Sequence, residues 1–493
     1  MMITYARVVP LLFAALCAGA CSSGGGGGDG GDPGDVGSVG NEPGTGGTGD
    51  IGGAGDTGDT GDTGDTGDVP PPGDEAPRRE DGTLAYLGSP GIEACSVPDL
   101  NAWVEHDMRD YYIYYDQVPQ LDTTAYDDPE TLLEDLRVAP DSFSGLRDSG
   151  DYVRRFEEGV LFGIGAWFYF DETIDRYRVR ALDGGSPIEE AGVTRGDVLL
   201  AINGRDPSDF IINGERWDER VNGVEGVEMT FRLQTGAEPP RDVTVTPTEF
   251  EWETAPWAAY ADRGGQRIGY LEVAGFDDTT ADKIDFQLNW LIEQGVGDLV
   301  LDLRYNGGGR SWVARRLAAQ IAGASVDGQL YKRNVSNDRY PEFTSTDAFE
   351  VAEPALGFSR VVALVSGSTA SASEALINGL EPYIDVTVVG TRTRGKPFVS
   401  RGVDYCDRTL SAMRWESENA AGVSVAGGIE PDCTVEDEFL GPAYEEDDRL
   451  FAAGIAFLAD GSCPSVPLVA AAPRSRPRPL EPPPHRRPMA LAD

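Results

Sequence analysis

The sequence predicts a layered α/β core, preceded by a β-rich unit and a small helical cap, with unstructured segments at both ends. Three observations carry this. From residue 251 to 463, apolar strands such as Asp298–Leu303, Val361–Ser366 and Val386–Gly390 alternate with helical stretches, the rhythm of strand–helix–strand layers. Residues 148–250 carry short strands instead, among them Tyr177-Arg178-Val179-Arg180 and Glu228-Met229-Thr230-Phe231-Arg232-Leu233, broken by turn signals. Residues 95–147 place Trp103, Tyr111 and Tyr114, then Leu132, Leu133 and Leu136, at helical spacing.

The ends come first. Arg7 precedes an apolar run, Val8 to Ala20, too short to span a bilayer, so residues 1–20 are expected to be an export signal. The run closes on Ala18-Gly19-Ala20-Cys21, which resembles the bacterial lipobox; on that reading Cys21 is acylated and becomes the mature N-terminus. The alternative is an ordinary signal peptide cleaved near Ala20. Residues 21–77 are a Gly run followed by Gly-Asp-Thr triplets, with twelve acids and no Lys or Arg between 22 and 76. Such a segment cannot bury apolar surface, and a disordered, solvated tether is expected rather than a calcium site. Its root-mean-square reach is roughly 40 Å. The Pro- and Arg-rich residues 464–493 are expected to be a disordered tail.

A net charge of −44 excludes a nucleic-acid partner, because no basic surplus exists to displace counterions from phosphates. Of six cysteines, Cys17 leaves with the signal and Cys21 takes the lipid, leaving Cys95, Cys406, Cys433 and Cys463 for an oxidising compartment. Three pairings are open; proximity in the chain favours Cys406–Cys433, with Cys95 and Cys463 closing the folded part. No Cys-x-x-Cys occurs, and His106 and His485 are the only imidazoles, so neither a metal site nor a cofactor is expected.

Within the β-rich stretch, Ser186 caps and Pro187 opens a helix that Gly192 stops, and the strand Asp197–Ile202 runs into the tight-turn pair Asn203-Gly204. The string from Gly185-Ser186-Pro187 to Ile202-Asn203-Gly204 resembles a PDZ domain. Upstream, Gly163, Ile164 and Gly165 are similar to that family's carboxylate-binding loop, whose N–H groups receive a peptide's terminal carboxylate while the peptide adds a strand. A bulged strand would use the same Gly-x-Gly.

In the core, residues 280–294 align Ile284, Leu288, Leu291 and Ile292 on one helical face. Nucleophile candidates follow the strand Val361–Val365, in Ser366-Gly367-Ser368-Thr369-Ala370-Ser371-Ala372-Ser373-Glu374. Ser371 through Glu374 is also a capping box opening a helix, and both readings hold together, because a helix N-terminus offers N–H groups to a developing oxyanion. A serine nucleophile needs a base. His106 falls in the cap and His485 in the tail, and Arg does not deprotonate, which leaves the three lysines, Lys283, Lys332 and Lys396. Lys396 sits in a glycine-bounded turn, Thr391-Arg392-Thr393-Arg394-Gly395-Lys396-Pro397, and lies 25 residues after Ser371 across one helix and one returning strand.

Ser-Ala-Ser-Glu at 371–374, Gly-Lys at 395–396 and the turn Leu301-Asp302-Leu303-Arg304-Tyr305-Asn306-Gly307-Gly308-Gly309 together resemble the C-terminal processing, or tail-specific, serine peptidases of the Ser/Lys type. The resemblance covers roughly residues 95–462. It implies a crotonase-like/ClpP-like α/β protease core at 251–463, an inserted PDZ-like domain at 148–250 and a helical cap at 95–147. It also implies Ser371 as nucleophile, Lys396 as general base, and the N–H groups of Gly308 and Ala372 as the oxyanion site. The family's Gln four residues after the Lys is here Ser400, which becomes the expected partner of the amine. The expected activity is endopeptidase cleavage of unfolded or tail-exposed polypeptides with free C-termini. The protein is expected at the periplasmic side of the outer membrane, touching the membrane only through its lipid. The alternative is a weak or inactive lipoprotein that binds protein tails. An acyl-CoA enzyme on the same core type is disfavoured by the export signal.

Overall fold

A computed structural model describes residues 95–463, apart from 140, 213–220, 264 and 439–447. The export signal, Cys21, the Gly/Asp/Thr tether and the Pro/Arg tail lie outside the described residues.

The core is built on a six-stranded sheet ordered Cys433–Thr434, Asp385–Gly390, Arg360–Val365, Asp298–Asp302, Gln266–Glu272, Ala258–Arg263. All neighbours are parallel except the last pair, which forms an antiparallel hairpin. A strand covered on both faces has no use for polar alternation, and Asp298–Asp302 is buried along its whole length. Leu299 and Leu301 point into the layer formed by helices Thr280–Gln294, Ser311–Ala322 and Ala372–Leu380. Val300 points the other way, against helix Arg449–Asp460. The result is three layers, helix–sheet–helix, so the α/β expectation holds.

Helix Thr280–Gln294 ends where Gly295 turns into the left-handed region. Its predicted stripe is right at Ile284, Leu288 and Leu291, which are buried, but Ile292 is 43% exposed. One residue past Leu291 rotates about 100° around the axis, off the stripe.

The second sheet is antiparallel and joins Gly145–Asp148, Arg408–Glu418, Leu330–Ser336 and Ser345–Ala348, with Phe398–Tyr405 pairing the long strand Arg408–Glu418. Helices Val97–Asp110 and Pro129–Leu136 pack on it, and Trp103, Leu132 and Leu136 share one core with Phe398, Leu410 and Met413. The N-terminal residues therefore do not form a core of their own; they close one from the far end of the chain.

Residues 166–245 form a five-stranded antiparallel sheet in chain order, from Ala166–Asp171 to Arg241–Val245, over a separate core of Ile164, Val179, Leu199 and Phe231. Ser186 and Pro187 start a single helical turn, Pro187–Glu190. Asn203 and Gly204 both take positive φ, as the predicted tight turn requires. Strands Val160–Gly163 and Thr248–Glu251 pair antiparallel where the chain enters and leaves this unit.

The disulfides correct the proximity-based pairing. Cys95 bonds Cys406, and Cys433 bonds Cys463. Cys406 sits in the hairpin between Phe398–Tyr405 and Arg408–Glu418, beside the start of the helical cap, whereas Cys433 lies at the edge of the other sheet. Closeness in sequence yields to the requirement that Cα atoms approach within about 7 Å.

The exposed Ile292 gives a direct check on the packing. Leu288→Ala should cost about 2–5 kcal/mol in urea unfolding, while Ile292→Ala should stay within about 0.5 kcal/mol. Equal losses would mean that the helix is rotated from the position described.

Candidate active site

Three loops meet at the carboxyl ends of three adjacent parallel strands. The turn after Asp298–Asp302 carries Gly307–Gly309, the loop after Arg360–Val365 carries Ser371, and the loop after Asp385–Gly390 carries Lys396. Parallel pairing puts these ends side by side, the usual place for a site in an open α/β sheet.

Side-chain and backbone bonds staple the serine loop to the glycine turn. Thr369 Oγ1 donates to Leu303 O at 2.7 Å, Ala370 N–H to Asn306 O at 3.1 Å, and the buried Ser373 hydroxyl to the same Asn306 O at 3.0 Å. Ser366 Oγ donates to Arg304 O. Held this way, Ser371 adopts φ 57°, ψ −116° at the N-cap of helix Ala372–Leu380. A non-glycine residue there costs on the order of 1–3 kcal/mol and persists only where its surroundings over-determine it.

Gly308 lies against this serine. With φ 102°, any Cβ on it would stand 2.8 Å from Ser371 Cβ and 2.9 Å from Ala372 N. Gly308, Ser371 and Ala372 are therefore brought together as the sequence implies. The Gly308 N–H, however, donates to Asn306 Oδ1 at 2.9 Å, so it is already engaged. The Ala372 N–H occupies the first helical position, which has no acceptor within its own helix.

The predicted capping box is present, and its carboxylate does more than cap. Glu374 is fully buried. Its Oε2 accepts from Ser371 N–H at 2.8 Å and Lys396 N–H at 2.9 Å; its Oε1 accepts from Gly395 N–H at 2.7 Å and Thr393 Oγ1 at 2.5 Å. One oxygen atom thus lies within 3 Å of the backbone nitrogens of both Ser371 and Lys396. Sequence reading found this Glu only as a cap, because its second set of partners lies 19 to 22 residues away.

The Lys396 side chain is lowered from its usual lysine value, with burial as the main cause; Arg147 and Arg394 push the same way, while Asp141 and Glu374 oppose. Its Nζ stands 5.3 Å from the centroid of the Phe143 ring. Arg392, four residues before Lys396, pairs with Glu430 at the surface. Asp141, Phe143 and Arg147 come from the N-terminal part of the chain, some 250 residues from Lys396, and no sequence signal marked them. Ser400, on strand Phe398–Tyr405 beside a register shift, keeps a buried Oγ that has no hydrogen-bond partner among the described residues. His106 is remote from these loops in its contacts, its Nδ1 standing 3.1 Å from Asp110.

Gly163, Ile164 and Gly165 lie elsewhere. Ile164 is buried in the β-rich core, its carbonyl accepting from Ile188 N–H at 3.1 Å. Gly165 has φ 75°, and a Cβ on it would reach within 2.1 Å of Ser186 Cβ. The next strand, Ala166–Asp171, is an open sheet edge with Trp167 49% and Phe170 45% exposed. The same unit touches the serine loop, where Arg180 Nη1 donates to Ser368 Oγ at 2.9 Å, and the glycine turn, where Arg195 Nε donates to the Tyr305 hydroxyl at 3.2 Å.

Residues 267–435 match the sequence model of Peptidase family S41, and residues 99–145 match that of the Peptidase S41 N-terminal domain. The chain is 26% identical to a carboxyl-terminal-processing protease of Synechocystis over 75% of its own length and 84% of the relative's. It is 28% identical to a CtpA-like serine protease of Staphylococcus aureus over 58% of its length; that match spans only 55% of the relative. Among solved structures, a Bacteroides fragilis chain described as an S41 protease superposes with a TM-score of 0.58 at 21% identity, covering 73% of this chain and 97% of that one. This last likeness is one of fold. No helix among the described residues is long and apolar enough to cross a membrane.

Removing the shared carboxylate should loosen both loops at once. Glu374→Ala leaves three backbone N–H groups without their acceptor, at about 1–3 kcal/mol each if they stay dry. Amide exchange at Ser371, Gly395 and Lys396 should accelerate together. Acceleration at Ser371 alone would mean that the lysine loop is held by something else.

Proposed function

The chain belongs to peptidase family S41, and from that premise we propose that it is a serine endopeptidase working through Ser371 and Lys396 on unfolded or tail-exposed polypeptides. The observation that carries the reading is the Glu374 carboxylate, which holds the backbones of the proposed nucleophile and the proposed base on a single oxygen atom.

The chemistry follows from the groups present. Neutral Lys396 accepts the Ser371 proton as Oγ attacks the scissile carbonyl, and the ammonium then gives that proton to the leaving amine. Water, deprotonated in turn by Lys396, releases the acyl group from Ser371. Charge on the tetrahedral oxygen falls to the Ala372 N–H and to the Gly308 N–H once Asn306 Oδ1 lets it go. Burial is the main agent that lowers the proton affinity of the Lys396 amine and so favours its neutral form.

The β-rich unit is proposed to be a PDZ-like module, and residues 148–250 its span. Its Gly163–Gly165 turn leads straight into an open edge strand bearing exposed Trp167 and Phe170, which suits a peptide added as a further strand with its terminal carboxylate on the turn. The other proposed divisions are the helical cap at 95–147 and a crotonase-like/ClpP-like core at 251–463. Export by residues 1–20, a lipid on Cys21 and a periplasmic location complete the proposal.

One observation favours a second reading, a tail-binding protein without turnover: Ser400 Oγ makes no hydrogen bond, so the residue in the orienting position orients nothing by itself. A fluorophosphonate probe separates the two, since a competent pair is labelled at Ser371 and a binder is not.

On the leading reading Lys396→Arg keeps the charge and abolishes digestion of an unfolded protein, because guanidinium cannot take the serine proton; retained turnover removes Lys396 from the mechanism. Since the working form is the neutral amine, wild-type kcat should rise with pH through a midpoint below the ordinary lysine value and then level off. A profile flat from pH 5 to 9 contradicts a lysine base. For the edge strand, peptides with a free C-terminus should bind at least tenfold more tightly than their amides, and equal affinities would remove the carboxylate turn.

A further inference from the structure

We propose that Asp141, acting with the Phe143 ring, is the positioning residue for the Lys396 amine, so that the N-terminal segment supplies the orienting group that position 400 does not. The inference rests on the reading of Lys396 as the base and adds to it a residue outside the Ser/Lys motifs.

Two observations carry the geometry. At position 400 the hydroxyl is buried and unpartnered, so it bonds no amine. The Lys396 Nζ lies 5.3 Å from the Phe143 ring centroid, within the distance at which a cation is drawn to an aromatic face. The backbone of that same Phe143 is fixed by Asp141, whose Oδ1 accepts from Phe143 N–H at 2.7 Å and Ser144 N–H at 2.9 Å. Its Oδ2 accepts from the Tyr112 hydroxyl at 2.8 Å. Tyr112 is fully buried in the core shared by the helical cap and strand Phe398–Tyr405, so the carboxylate cannot swing away. Ser144 Oγ accepts from Met413 N–H at 3.1 Å, which ties this turn to the strand facing Ser400.

The charges that act most strongly on the amine are Asp141 and Arg147 from the N-terminal segment, Glu374 from the serine helix and Arg394 from the lysine's own loop. Asp141 is the strongest of the four and favours the ammonium; Arg147 opposes it. Glu374 is already committed to four donors around its two oxygens. Asp141 is bonded within its own turn and to Tyr112, makes no hydrogen bond to the Lys396 backbone, and bears on that lysine through its charge and through the Phe143 ring it fixes. In the resting protein its charge and the ring hold the amine at one place over the Phe143 face. On deprotonation that attraction falls, and the neutral amine is free to accept the Ser371 proton.

The test uses the scarcity of lysine. With three lysines in the chain, a full-length Ser371→Ala protein carrying 13Cε-lysine gives three resonances to follow with pH, and the Lys396→Arg spectrum identifies the one that matters. Asp141→Asn keeps an oxygen for the two N–H donors and offers its amide to the Tyr112 oxygen, so the turn is retained. Removing the charge should lower the Lys396 titration by about one pH unit, and Arg147→Gln should raise it. In the Ser371 enzyme, the rising limb of kcat should move down with Asp141→Asn, and the plateau should fall about tenfold at unchanged KM as the amine loses its aim. A purely structural Asp141 lowers the plateau without moving the limb or the resonance, and that outcome overturns the proposal. Should Asp141→Asn not fold, Phe143→Leu decides: a lowered titration supports the proposal and an unmoved one overturns it. Failure of the underlying reading looks different, because Lys396→Ala then retains turnover whatever the titrations do.

Discussion

The site depends on one buried negative charge. Burying a carboxylate costs several kcal/mol unless its lone pairs are filled, and Glu374 meets that cost with four donors drawn from two loops. The arrangement is self-enforcing. If either loop moves, a charge is left unsatisfied in the core, so the helix N-terminus at Ser371 and the turn at Lys396 hold each other in register. The strained backbone of Ser371 is tolerable for the same reason, since Asn306, Leu303 and Arg304 carbonyls pin the residues just before and after it.

The sheet topology makes that clamp possible. Three parallel neighbours end on one edge, and each contributes one loop. The glycine turn is anchored behind by Arg304, a buried guanidinium that bonds Asp302 in its own strand and Asp448 at the cap of helix Arg449–Asp460. A glycine at 308 is then forced by contact, because the serine loop passes too close for a side chain. These constraints are local to the core and would hold whatever the remaining chain did.

What the rest of the chain adds is control over polarity and access. The N-terminal segment surrounds the lysine with an aromatic face and charges of both signs, and burial there lowers the amine's proton affinity. The β-rich unit is bonded to the serine loop through Arg180 and to the glycine turn through Arg195. The Ser400 hydroxyl is buried and has no hydrogen-bond partner among the described residues, and unpaired buried polar groups are costly enough to need a reason.

The sequence by itself determined whatever depends on neighbours along the chain. Apolar runs set the parallel strands, the 3.6-residue period placed Ile284, Leu288 and Leu291 inward, and Asn203-Gly204 fixed a tight turn by its backbone alone. Spacing also brought Ser371 and Lys396 to adjacent strand ends, because one helix and one strand fill the 25 residues between them. Only the tertiary structure decided matters that join distant segments. Cys95 finds Cys406 across 311 residues, Glu374 reaches past its cap to Gly395 and Lys396, and Asp141 and Phe143 reach the amine from another part of the chain. Periodicity describes which face of an element is buried and is silent on what covers it. Those partners are set by packing in three dimensions, where residues far apart in sequence are as near as neighbours.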